Sequence, residues 1–205
     1  MKVALAGMQR NLWTALPGIV QAFNSADNTV DVRPAIKATV LKLDPKSGVQ
    51  SPVETELPLL IKVPLHQIAG GSFVIDIQPS PGDEVTVLFA SRCIDGWWQS
   101  GGVQSQIEHR THNLSDGIAI PGLFSAQRAN GQNMGAAGLK IRSLDGSTFI
   151  HMPGGGKVNI TAPGGVTITG DIHATGAITS NGHAIDSTHR HKDVQPGGGL
   201  SGVPQ

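Results

Sequence analysis

Val158-Asn-Ile-Thr-Ala-Pro-Gly-Gly-Val-Thr-Ile168 states one short unit twice, Val158-Asn-Ile160 and then Val166-Thr-Ile168. Residues i and i+2 of an extended strand point to the same face, so each unit presents two aliphatic side chains together. Pro163-Gly164-Gly165 separates the two units, and Thr169-Gly170, Thr175-Gly176 and Asn181-Gly182 punctuate the chain beyond Ile168. Leu139-Lys-Ile141 begins the series, and Ile172 and Ile178 continue it less regularly. Strands this short cannot bury an apolar face alone, and the rungs are too few for a stable single-chain β-helix. Three chains wound about one axis triple the strands and close their edges. The repeat therefore predicts a homotrimer with Val158, Ile160, Val166, Ile168 and Ile178 pointing inward.

Working outward, composition divides the chain. Of its 27 glycines, 16 lie in residues 131–205, whereas all three tryptophans and four of the five phenylalanines precede residue 131. The first part is able to build an ordinary core; the second suits repetitive β-structure. Lys+Arg and Asp+Glu are equal at 15 each, so there is no global basic field and nucleic acid is not an expected partner. Cys93 is the single cysteine, which leaves no intrachain disulfide and no thiolate zinc site. The apolar run of MKVALAGMQRNLW is too short for a signal sequence, and no segment approaches the length of a membrane span. The expectation is a soluble chain folded in the cytoplasm without Sec-type export.

The first part reads as short strands. Gly18–Phe23, the turn-rich Asn24–Asn28 and the alternating Thr29–Arg33 form a hairpin. Ala35–Leu43 continues the alternation, and the polar residues 44–56 read as a long loop. Leu57–Leu65 carries two prolines, which fits an edge strand. Phe73–Ile77 and Asp83–Ala90 are further strands, and Asp95-Gly-Trp-Trp98 reads as a turn. Short strands without an amphipathic helix indicate an all-β protein, with a small OB-fold barrel as first choice.

LPGIVQAFNSADNTVDVRP (16–34), PSPGDEVTVLFASRCIDGWW (79–98) and HRTHNLSDGIAIPGL (109–123) resemble the N-terminal barrel of the baseplate central spike family of contractile-tailed bacteriophages. The glycine-rich repeat followed by HRHKDVQPGGGLSGVP (189–204) resembles that family's C-terminal tip. The resemblance spans roughly residues 16–205. It implies an N-terminal arm (1–15), an OB-fold barrel (16–103), a connector (104–138), an intertwined trimeric β-helix (139–186) and a metal-binding apex (187–205). It also implies a structural virion protein of the tail baseplate, assembled in the host cytoplasm. Its barrels dock to tail hub and baseplate proteins, and it pierces the host outer membrane when the sheath contracts. No inserted lysozyme-like domain is present.

His189-Arg190-His191 carries the tip chemistry. On a strand both imidazoles face one side and Arg190 the other. One chain offers two ligands, too few for a closed zinc site, whereas three chains offer six. Six nitrogens suit an octahedral transition metal better than tetrahedral zinc, and two coordinating atoms per chain do not choose among iron, nickel and cobalt. The resemblance points to iron, one ion per trimer bound by six histidines. A saturated octahedron leaves no position for substrate, so this metal is expected to be structural and to keep three chain ends from fraying.

Other signals weigh less. His109-x-x-His112 followed by Asp116 has a ligand-like look but sits in a loop, and surface or interface histidines are the simpler reading. Gly154-Gly-Gly-Lys157 lacks the spacing of a phosphate loop. Trp97-Trp98 fits packing better than stacking on sugars or bases. Asp83-Glu84 is spoiled as an acid–base pair because strand neighbours face opposite ways. No catalytic residues are assigned, and an enzyme is not expected. The rival readings are a trimeric receptor-binding fibre or tailspike and a β-helical depolymerase, which need an adhesive domain or a carboxylate-lined groove.

Overall fold

The hairpin that opens the first unit arises from alternation interrupted by an Asx turn. In the computed structural model, which describes residues 12–129, 137–185 and Gly197, β1 (Ala15–Asn24) pairs antiparallel with β2 (Thr29–Pro34). Between them Asn24 Oδ1 accepts the Ala26 N–H at 3.1 Å and Asn28 takes φ 52°, a left-handed position that asparagine tolerates. Gly18 lets the strands approach: a Cβ there would lie 2.3 Å from Val32 Cγ1.

The chain divides into two compact units, Met1–Gly135 and Ala136–Gln205. In the first, β3 (Ala38–Leu43) and β4 (Gln50–Thr55) form a hairpin, followed by β5 (Leu60–Pro64). A second small hairpin joins β6 (Ile68–Gly70) to β7 (Phe73–Ile75) and precedes β8 (Glu84–Phe89). After a short helix α1 (Asp95–Ser100) and a 3-10 turn at Leu114–Asp116 comes β9 (Gly117–Pro121), then α2 (Ala126–Ala129). Five strands form one curled antiparallel sheet in the order β5-β2-β1-β8-β9. Its two ends meet where Leu65 bridges Ala119 in parallel, with the His66 N–H donating to the Ala119 carbonyl at 2.8 Å. Among the described residues, ten buried apolar side chains fill the interior, including Val20, Val30, Val32, Val85, Val87 and Phe89.

Three sequence expectations change here. Residues 44–56 are not one loop, because Gln50–Thr55 pairs with β3; both strands of that hairpin are largely exposed, so polar residues suit it. Asp95-Gly-Trp-Trp98 is the start of α1 and not a turn. The stretch 104–138, expected as a connector, contains β9, which belongs to the main sheet. The inward positions of β9 are Gly117 and Ala119, and a Cβ on Gly117 would stand 2.9 Å from Val87 Cγ1. A strand whose core side must be that small does not look like a core strand in the sequence.

The second unit opens with a three-stranded antiparallel sheet of β10 (Leu139–Arg142), β11 (Phe149–Gly154) and β12 (Lys157–Thr161). A minimal hairpin of β13 (Thr179–Ser180) and β14 (His183–Ala184) comes next. Among the described residues 137–185 none is buried.

Candidate functional site

The register of the second unit sorts its side chains onto two faces. Leu139 opposes Met152, Ile141 opposes Ile150, and Ile150 in turn opposes Ile160. Val158 lies two residues before Ile160 and shares its side. Six aliphatic side chains thus share one face, each between 40% and 60% exposed. The other face carries Lys140, Arg142, Phe149, His151, Asn159 and Thr161, with Lys140 Nζ 3.8 Å from the centre of the Phe149 ring. A sheet that is aliphatic on one side and polar on the other ordinarily covers the first. Among the described residues none covers that face, and all six side chains stay at least 40% exposed.

Val158 and Ile160, expected as inward residues, belong to this face. Val166 and Ile168 are 59% and 60% exposed and lie outside any strand of the lone chain, whereas Ile178 abuts the β13–β14 hairpin, its carbonyl accepting the Ile185 N–H at 3.0 Å. Sequence reasoning does not single out Ile150 and Met152, although Ile-His-Met is the same alternating signal. His189 and His191 lie outside the described residues.

In the barrel the strongest electrostatic assembly centres on Arg110. Asp116 is fully buried and accepts from Arg110 Nε at 2.7 Å, Arg110 Nη2 at 3.0 Å and the Ile94 N–H at 2.9 Å. Arg110 also reaches Asp95 and Glu108, each at 2.6 Å. These partners raise the guanidinium's affinity for its proton further, Asp116 most of all. The network ties the start of the long β8–β9 loop, at Ile94 and Asp95, to its end at Asp116. It also answers the ligand-like spacing around His109: Asp116 is Arg110's partner, and His112 meets the Trp13 carbonyl at 3.2 Å through Nδ1. Cys93, Asp95 and Asp116 bring potential ligand atoms within 4.8 Å of one another, but the guanidinium already supplies the positive charge there. Trp97 and Trp98 are 48% and 40% exposed on α1, their ring centres 6.3 Å apart.

The first unit has a counterpart among known families. Residues 16–122 match the family described as phage protein Gp138 N-terminal domain, and the match runs from β1 to the residue just after β9. The chain belongs to this family. It is accordingly a phage structural protein, a component of the virion, and the matched region coincides with the five-stranded sheet that the Leu65–Ala119 bridge closes. No curated protein matches the chain.

Proposed function

We propose that this protein is the central spike of a contractile-tail baseplate, a homotrimer that pierces the host outer membrane when the sheath contracts. The observation that carries the proposal is the second unit's aliphatic face: six exposed side chains on three strands, in a unit whose described residues include none that is buried. Copies of the same chain related by a three-fold axis cover such a face in all three protomers at once. Val158, Ile160, Val166, Ile168 and Ile178 then line the axis as an intertwined β-helix. The strand order of the first unit, with its one parallel closure, supports an OB-type barrel, which serves as the collar that docks to tail hub and baseplate proteins.

The mechanism is mechanical. The sheath supplies the work, the barrels receive the push and the narrow prism transmits it. A closed trimeric prism has no free strand edges, which suits passage through lipid, where unpaired backbone groups are costly. His189 and His191 of three chains would hold one structural iron ion at the apex. Six neutral imidazoles suit an octahedral ion, and the ion's contribution is to cross-link three chain ends.

The test is elemental analysis of protein purified without chelator, read together with its mass. About one iron per three chains, lost in His189→Ala/His191→Ala, is the expected result. A protein of three-chain mass that carries no transition metal contradicts the tip, and release of sugar from purified lipopolysaccharide would favour a depolymerase instead.

A further inference from the structure

After β9 the chain does not leave the barrel. Gly122 turns at φ 95°, and the next residues lie back against the start of β8. The Ser125 N–H and hydroxyl both donate to the Glu84 carboxylate, the hydroxyl at 2.8 Å. Arg128 Nη1 donates to the Gly82 carbonyl and Nη2 to Asp83 Oδ1, each at 2.6 Å. The Ser80 N–H holds the other Asp83 oxygen at 2.8 Å, which fixes the carboxylate for Arg128. The guanidinium also stands 5.9 Å from the centre of the Phe124 ring. Leu123 and Phe124 reach over β1, closing one side of an apolar cavity of about 320 Å³ that Pro17 and Ile19 line from beneath.

Asp83 and Glu84 make no acid–base pair, yet both serve one purpose here. Asp83 precedes β8 and Glu84 begins it, so the two carboxylates reach the same short segment at Ser125 and at Arg128. An exposed ion pair alone contributes little. Here the two Ser125 donors, the two Arg128 donors and the ring contact converge on one segment, while Leu123 and Phe124 line the cavity and stay 38% and 41% exposed.

We infer that residues 123–129 are a strap that clamps the chain to the barrel beyond its last strand, with Asp83, Glu84, Ser125 and Arg128 as positioning residues. The rigid barrel body then ends at residue 129 and not at Pro121, and a push on the barrel is handed to the chain at that point. The mechanical meaning rests on the spike reading; the strap itself does not.

Arg128 is a tryptic site, so the strap reports on itself. Cleavage of the full chain is followed bond by bond by mass spectrometry, with the bond after Arg110 as an internal control for an intact barrel. The expected result is cleavage after Arg128 at least about tenfold faster in Asp83→Asn/Glu84→Gln than in the wild type, with the bond after Arg110 slow in both. If the double variant is cut after Arg110 as well, Ser125→Ala, which leaves β8 untouched, must show the same selective exposure to a smaller degree. Equal cleavage after Arg128 in the wild type and in a folded variant overturns the strap. Light scattering on the same samples keeps the two proposals apart: a protected Arg128 in a monomer retains the strap and removes the spike.

Discussion

The barrel sheet and the sheet of β10–β12 are written in the same alphabet of alternating valine, isoleucine and leucine. In the barrel Val20, Val32, Val85 and Val87 are at most 1% exposed, because five strands curl until their inner sides face one another. In the second unit Ile141, Val158 and Ile160 are 57–60% exposed, because three strands in a meander have nothing to curl around. Alternation specifies which side of a strand wants cover; strand number and curl decide whether the chain provides that cover itself. The first unit buries its own apolar side, and the described part of the second leaves its aliphatic side exposed.

The comparison breaks most visibly if the second unit is given charges. Ile141→Asp/Ile160→Asp places carboxylates on the aliphatic face on either side of Ile150, where burial against other chains would leave them unpaired. Assembly should be lost altogether, seen as a fall to single-chain mass, while the near-ultraviolet signal of the barrel tryptophans is unchanged. A barrel that unfolds in this variant would mean that the two units are not independent in the way proposed.

A smaller effect sharpens the barrel side. Asp116→Ala leaves the partly buried Arg110 without its best partner and the Ile94 N–H without an acceptor. Removing one member of such a pair costs about 3–5 kcal/mol, read as a shift of the denaturant midpoint at constant slope. The same variant should leave assembly of the second unit intact at concentrations where the barrel is folded.

The smallest effect concerns the strap. The two donors from Ser125, with Arg128 nearby, hold the Glu84 carboxyl below its ordinary value. A carboxylate whose folded pKa is depressed stabilises at neutral pH, and that contribution fades as pH falls through the lowered value. Hydrogen-exchange protection of residues 123–129 should therefore drop at acidic pH before that of β8, and Glu84→Gln should remove the pH step.

The parts of the fold legible in the sequence are those where pattern and partner coincide. The β1–β2 hairpin is announced by Val20, Val30 and Val32 on either side of an Asn- and Asp-rich turn, and β8 by Val85, Val87 and Phe89. β9 is hidden because its inward positions require Gly117 and Ala119, which carry no strong hydrophobic signal. β4 is hidden because an exposed hairpin needs no apolar side. The Arg110–Asp116 network reads in the sequence as a histidine-centred question, since nothing in the spacing shows that Asp95 and Asp116 converge on one guanidinium. In the second unit the paired aliphatic positions Val158 and Ile160 are legible, while Ile150 and Met152 join them only through the register of β11.

The central claim is that the second unit's core is made of other copies of the same chain. Static light scattering of the wild-type protein at micromolar concentration tests it directly. The account predicts three times the 21.3 kDa chain mass, persistent on dilution. A single-chain mass, in protein whose barrel is folded and which has met no chelator or denaturant, would contradict it.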